Sequence, residues 1–382
     1  MTSLHSTSPL ADDLAAVLGG SETLWRELDG ARVLITGGTG FVGCWLLEAA
    51  LWARAQYGIE VRIDVLARRP ERLAEIAPHL ARDPSVRLVR GDIRNGDLPA
   101  DAGDGAHYTH VIHAATETNV ALDNPPPLAA FDASVTGTRH VLDLCGRNAV
   151  RRFLLISSGA VYGRAHALER PLNETDPLAG VRGDLAGAYA LGKASAEFLA
   201  MASGTALGFT AVAARCFSFI GPYQPLDSGF AAGNFMRDAL DGKPILIRGD
   251  GTAVRSYLYG ADMALWLWTM LLRGEHGDIF NVGSDQPVSI SELAQLIARE
   301  FAAETATDAS PVVIASQPTG RRPELFTPDV GRSRARLGLH AVTPLDAAIR
   351  HTAAWAMTAG ASNRVTLCAP AAHPRYELAE RT

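Results

Sequence analysis

Residues 31–43 read ARVLITGGTGFVG, a short apolar run that ends in a glycine turn. The next residues, CWLLEAALWARAQ (44–56), have the character of a helix. Gly37, Gly40 and Gly43 are spaced three apart. Strand, turn and helix in that order serve a pyrophosphate: a tight turn, close approach of the backbone to the ligand, and close helix–sheet packing. The helix N-terminus then offers unpaired N–H groups and a favourable dipole to the anion. A glycine triplet alone is weak evidence, and the strand before it and helix after it supply the confirming context. Gly37, Gly40, Phe41, Val42 and Gly43 are therefore the candidate dinucleotide contacts.

Outward from this turn the same rhythm repeats. VRIDVLARR (61–69), VRLVRGD (86–92), THVIHAA (109–115), RRFLLISS (151–158) and FTAVAARCF (209–217) read as strands. Helical stretches separate most of them, including PERLAEIAPHLA, read as one helix opened by Pro70, and the segment carrying AYALGK. Strands alternating with helices predict a parallel, doubly wound α/β sheet of the Rossmann-like kind, with right-handed crossovers. After about residue 220 the rhythm loosens into a smaller α/β substrate-binding cap, whose pieces, DIFNVG (278–283) among them, can interleave with the sheet. SISELAQLIAREFAAE opens with a capping box, Ser289 with Glu292. The expected organisation is a helical extension over 1–30, a dinucleotide-binding domain over 31–220, mainly cap over 221–352, and a tail over 353–382.

At 382 residues the chain can bury a large core. Lys plus Arg number 35 against 41 Asp plus Glu, a net charge of -6, which gives no electrostatic case for a nucleic-acid partner. The four cysteines are far apart and no Cys/His cluster has metal-ligand spacing, so no metal is expected. MALWLWTMLL (263–272) is too short to span a bilayer, and the first residues lack the basic and apolar regions of a secretory signal. These features predict a cytoplasmic protein with no membrane partner. Trp266, Trp268 and Met270 sit in a helical pattern and read as packing residues; His113 reads as structural.

The end of the second strand bears on cofactor choice. An acid there binds the adenosine ribose, whereas arginine favours a 2′-phosphate. Here the strand ends Ala67-Arg68-Arg69, so Arg68 tips the reading toward NADP, while a register slip that brings Asp64 near the ribose keeps NAD open. Asp92 and Ile93, after the third strand, are candidates for the adenine edge. Tyr189 and Lys193 are four residues apart, hence on one helix face. A phenol beside an ammonium and a positive nicotinamide has its pKa lowered, so Tyr189 can take a proton from a hydroxyl while hydride leaves the same carbon.

These segments together resemble the extended short-chain dehydrogenase/reductase family, in its NAD-dependent epimerase/dehydratase branch, over about residues 31–352. TGGTGFVG is similar to the family's nucleotide loop and HAA (113–115) to its fourth-strand motif, which implicates Ala114 and Ala115. SSGAVYG (157–163) is similar to the serine/threonine segment, and Tyr189-x-x-x-Lys193 to the catalytic pair. The resemblance implies Tyr189 as acid–base group, Lys193 as ribose ligand and Ser158 as the hydroxyl on the reacting oxygen. It further implies Ser218 and Arg255 on a substrate diphosphate, Asp262 as a helix-capping acid, and a homodimer. Asn234 is a candidate for a substrate or backbone hydrogen bond, or a plain helix cap.

Two departures bear on the reaction. The dehydratases carry an Asp-Glu pair where this chain has Gly159 and Ala160, and Ser134 replaces an asparagine. Glycine and alanine cannot eliminate water, unless a carboxylate such as Glu117 arrives from elsewhere. The leading expectation is an NAD(P)-dependent nucleotide-sugar epimerase working through a transient 4-keto intermediate. An NADPH-dependent keto-sugar or other carbonyl reductase, a 4,6-dehydratase with a displaced carboxylate, and a non-enzymatic dinucleotide-binding protein are the alternatives.

Overall fold

In the computed structural model the run that enters the glycine turn is β1 (Ala31–Thr36), inside a seven-stranded sheet. The structure describes residues 8–103, 105–116, 127–163, 170–180, 187–226, 230–317, 320 and 322–358. In chain order the strands are β1, β2 (Val61–Ala67), β3 (Val86–Arg90), β4 (His110–His113), β5 (Arg152–Ser158), β6 (Thr210–Cys216), β7 (Ser218–Ile220), β8 (Ile245–Ile247), β9 (Val254–Arg255), β10 (Tyr257–Tyr259), β11 (Ile279–Val282), β12 (Val288–Ser289) and β13 (Val312–Ile314). The main sheet runs β11-β6-β5-β4-β1-β2-β3, with every pairing parallel. Its order reverses between β1 and β4, the crevice where open α/β sheets bind ligands. The late segment DIFNVG thus supplies the seventh strand beside β6, with Ile279 opposite Ala213. The remaining strands form two-stranded pairs, β7 with β10, β9 with β12 and β8 with β13.

The helices are α1 (Ala11–Leu18), α2 (Glu22–Trp25), α3 (Phe41–Tyr57), α4 (Arg72–Ile76), α5 (Pro78–Ala81), α6 (Pro127–Asn148), α7 (Ala188–Leu207), α8 (Ala231–Leu240), α9 (Gly260–Arg273), α10 (Ile290–Thr305), α11 (Gly331–Leu337) and α12 (Leu345–Thr358). The stretch expected as one helix after Pro70 is broken into α4 and α5, with Ala77 at φ −145°, ψ 66° between them. Pro78 is the reason, since a proline drives the preceding residue out of helical conformation. The Ser289–Glu292 capping box is formed, with reciprocal bonds of 2.8 and 3.1 Å.

The long parallel strands are apolar on both faces because helices cover both. Leu14, Leu18, Trp25 and Leu28, before β1, are fully buried and join Trp45, Trp266 and Trp268 in the larger core. Trp25 and Trp268 pack with ring centroids 5.8 Å apart. Asp262 does not cap α9; it is buried in the first turn and accepts the Val342 N–H at 2.6 Å. Burial raises its carboxyl above the usual range. Among the described residues, no helix is long and apolar enough to cross a membrane.

Candidate active site

One cavity of about 680 Å³ runs from the glycine turn, across the carboxyl ends of β2, β3 and β4, to the cap loops after β6 and β9. Gly37 stands at φ +72°, and a Cβ there would lie 2.7 Å from the Ala115 backbone. A Cβ on Gly43 would lie 2.3 Å from Gly38 Cα, so helix and turn touch through glycine. Gly40 differs. It caps α3 without a side-chain bond, and a Cβ there would meet only the Gly37 carbonyl, at 3.4 Å. The space beside it is the cavity, and the first N–H groups of α3 border that space. A cradle of this shape fits a pyrophosphate, and Gly37, Gly40, Phe41 and Val42 line it.

Leu66, Ala67 and Arg68 line the next part, with Arg72, Asp92, Ile93 and Arg94. Asp64 is elsewhere. It lies opposite Arg87 across the β2–β3 pairing, where Arg87 Nε bonds it at 2.9 Å and the Tyr108 hydroxyl also donates to it. The strand register therefore leaves Ala67 and Arg68 at the cavity, and Asp64 spent inside the sheet. Arg72 is a cavity residue that sequence motifs miss; its Nε is buried without a hydrogen-bond partner. Burial would raise the Asp92 carboxyl, but Arg94 outweighs it and holds Asp92 below the usual range, with Arg94 Nε at 3.0 Å and Nη2 at 2.6 Å. Ala114 and Ala115 form the wall opposite Gly37.

Ser158, Tyr189 and Lys193 converge beside this wall rather than in the cavity lining. Ser158 ends β5 and its Oγ accepts the Ala160 N–H at 3.1 Å. Lys193 is 3% exposed, its Nζ donates to the Ile156 carbonyl at 2.9 Å, and it lies 5.9 Å from the Tyr189 ring centroid. Burial pushes the Lys193 ammonium down to about 8. Burial raises the Tyr189 phenol above its ordinary value, and the Ser158 and Thr116 hydroxyls pull it back in part. Thr116 lines the cavity and so joins this centre to it. Ser157, beneath, donates to Glu197 at 2.5 Å.

On the cap side Ser218 and Arg255 line the cavity. Arg255 Nη2 meets Glu324 at 3.0 Å and the guanidinium lies 5.6 Å from the Phe326 ring centroid. Asn234 does not line it; it sits in the first turn of α8, where its Oδ1 accepts from Arg237 at 3.3 Å, and it is not a helix cap. Glu117 lies outside the described residues. Gln224 is a further residue that motifs miss: its Oε1 is buried, unpartnered and in the cavity wall. Tyr223 before it holds a left-handed backbone, φ +70°, with its hydroxyl on the buried Glu48 of α3. Trp45 also ties this loop to α3, donating to the Pro222 carbonyl at 3.0 Å.

Comparisons agree with this architecture. Over 274 residues the chain is 28% identical to a dTDP-glucose 4,6-dehydratase of Streptomyces niveus, covering 71% of this chain and 78% of that protein. Over 284 residues it is 31% identical to UDP-glucuronic acid decarboxylase 2 of Arabidopsis thaliana, covering 73% of this chain but only 59% of the plant protein. The crystal structure of a dTDP-glucose 4,6-dehydratase double mutant from Streptomyces venezuelae, solved with NAD bound, matches with a TM-score of 0.70 at 25% identity, over 85% of this chain and 97% of that one. Residues 33–283, from inside β1 to just past β11, match the model of the NAD dependent epimerase/dehydratase family, and the chain is an enzyme of that family.

Proposed function

We propose that the enzyme is a nucleotide-sugar epimerase that oxidises a ring hydroxyl at the Ser158–Tyr189–Lys193 centre and reduces the ketone from its other face. The observation that carries this is the distribution of charge in the cavity. Its described lining holds Arg68, Arg72, Arg94 and Arg255 against a single carboxylate, Asp92, at the β3 end. Such a lining suits ligands with phosphates at both ends, and among its described residues it brings no carboxylate to the Ser158–Tyr189 end for eliminating water. A Cβ on Gly159 would already meet the Phe217 ring at 3.0 Å, so the aromatic side chain occupies the place of a longer one. The names of the two relatives, a dTDP-glucose dehydratase and a UDP-glucuronic acid decarboxylase, support a nucleoside diphosphate sugar as substrate.

When bound, the dinucleotide accepts the hydride and gives it back. Tyr189 takes the hydroxyl proton and later returns it, Ser158 donates to the same substrate oxygen, and Lys193 would hold the nicotinamide ribose. Arg255 exchanges Glu324 for a substrate phosphate, a planar fork suited to its oxygens. The test is incubation with candidate sugar nucleotides and a trace of dinucleotide, followed by product mass and proton spectra in heavy water. The expected product keeps its mass, carries no solvent deuterium at the epimerised carbon, and forms without net consumption of dinucleotide. Loss of water overturns the reading in favour of a dehydratase, with Glu117 the first residue to replace. Stoichiometric oxidation of NADPH supports the reductase alternative, which the arginines near β2 also favour.

The cofactor is read as NAD or NADP, with NADP(H) favoured. Arg68 at the rim and the unpartnered Arg72 Nε support a 2′-phosphate, and Asp64 is committed to Arg87. The apoprotein is expected to bind NADP(H) more tightly than NAD(H), and Arg68→Ala to reduce that ratio about tenfold or more, the worth of a hydrogen bond to a charged group. Calorimetric titration of both proteins with both dinucleotides checks it, and a parental preference for NAD(H) defeats it. The assembly reading is a homodimer through α6 and α7, where Leu128 and Phe198 are 62% and 73% exposed; a monomeric mass in solution would oppose it.

A further inference from the structure

Thr116 follows β4 where the cavity meets the tyrosine centre. It lines the cavity, and its Oγ1 is buried with no hydrogen-bond partner. Buried hydroxyls are nearly always paired, so one left unpaired beside a binding site points to a bond that is made only during the reaction. Its neighbour is the Tyr189 phenol, on which the Ser158 and Thr116 hydroxyls act together. The two hydroxyls differ in what they have left to offer. Ser158 Oγ already receives the Ala160 N–H at 3.1 Å, whereas Thr116 Oγ1 is uncommitted both as donor and as acceptor.

The two residues before Thr116 are tied to β1. Ala115 N donates to Thr36 Oγ1 at 3.1 Å, and Ala114 N to the Thr36 carbonyl at 3.1 Å. Thr36 Oγ1 in turn pairs with His113 Nδ1 at 2.7 Å, and His113 Nε2 with Thr138 Oγ1 at 3.1 Å. Burial pushes His113 down to about 3, so this brace stays neutral at working pH.

We propose that Thr116 belongs to the reaction centre, its hydroxyl donating to the Tyr189 oxygen when that oxygen is ionised and accepting from it when it is protonated. This rests on the reading of Tyr189 as the acid–base group. In the oxidation half, the substrate O–H bond breaks and its proton passes to the Tyr189 oxygen. The hydrogen on the same carbon leaves with its electron pair to the dinucleotide, which is reduced as the C=O bond forms. Tyr189 thereby changes from acceptor to donor, and its neighbour must change the other way. Thr116 can rotate to do so without breaking another bond, which leaves the Ser158 proton for the substrate oxygen.

Among the described residues, four groups face the phenol. Lys193 comes from α7, Cys216 from β6, Ser158 from β5 and Thr116 from the end of β4. Burial pushes the Cys216 thiol up to about 12, so it is neutral over the working range, and Lys193 is the charged member. A hydroxyl donor favours the phenolate, hence ionisation at lower pH, and its removal moves ionisation to higher pH.

The test compares Thr116→Val, which keeps the shape, with Thr116→Ser, which keeps the hydroxyl. Tyrosinate absorbance is titrated in the dinucleotide-bound protein, taking the difference from Tyr189→Phe to isolate this residue. The pH profiles of kcat and KM are measured in parallel. Thr116→Val is expected to move the Tyr189 midpoint up by about one pH unit and lower kcat about tenfold on the acidic side, with KM near parental. Thr116→Ser is expected to restore both. If the valine does not fold, Thr116→Ala gives the same readout. An unmoved midpoint in a folded variant that binds dinucleotide overturns the role of Thr116. No loss of activity in Tyr189→Phe overturns instead the acid–base reading beneath it, and the titration needs no sugar nucleotide, so the two failures are distinguishable.

Discussion

Tyr189→Phe is expected to lose about 10²–10⁴-fold in turnover, the usual worth of a positioned acid–base group, while dinucleotide affinity stays near parental. The substitution removes one oxygen and leaves the ring. Lys193 keeps its place 5.9 Å from the ring centroid, so its proposed contact with the nicotinamide ribose is undisturbed. In the proposed mechanism Ser158 still donates to the substrate oxygen, but neither it nor Thr116 can accept a proton at neutral pH, because an aliphatic hydroxyl binds a second proton too weakly. Steady-state turnover on the identified sugar nucleotide, with dinucleotide affinity measured separately, checks both halves. Near-parental turnover with a limb near pH 8 would move the role to Lys193, which burial pushes down to about 8.

The phosphate cradle was legible in the sequence because its determinants are local: an apolar run, glycines three apart and a helix, all within β1 and α3. Tyr189 and Lys193 share a helix face for the same reason. Residues whose position depends on distant chain were not. The place of β11 beside β6 depends on Ile279 meeting Ala213, which no local pattern encodes. Asp64 could be read as a ribose ligand until Arg87, on the neighbouring strand, was seen to claim it. The family resemblance implied Asp262 as a cap, yet the Val342 N–H that it accepts comes from 80 residues on. Arg72, Thr116 and Gln224 belong to no motif. What marks them is a buried polar atom left unpaired in a cavity wall, which only packing reveals.

Arg215→Met is expected to destabilise the fold by about 3–5 kcal/mol, the cost of stranding one member of a buried ion pair. Arg215 comes from β6 and Glu197 from α7, one turn beyond Lys193, and their side chains are 4% and 5% exposed. Arg215 Nη2 and Nε reach the carboxylate at 2.8 and 3.1 Å, and Nη1 reaches the Tyr162 hydroxyl at 3.0 Å. Tyr162 in turn donates to Asn281 Oδ1, at 2.8 Å, on β11. The pair therefore fastens the helix carrying Tyr189 and Lys193 to the sheet, and ties the late strand into the same polar network. Burial would lower the Arg215 pKa, but hydrogen bonding to Glu197 wins and raises it, as expected of a satisfied pair. Without the guanidinium, Glu197 keeps only the Ser157 hydroxyl among the partners described here, and methionine fills the space without supplying a donor. The double variant Arg215→Met with Glu197→Gln removes both charges and is expected to recover much of the loss, because the penalty comes from the uncompensated carboxylate rather than from the missing attraction. Denaturant midpoints of the parent, both single variants and the double variant give the coupling directly. A cost below about 1 kcal/mol for Arg215→Met would mean that water reaches Glu197, and that the helix is held to the sheet by its apolar contacts alone.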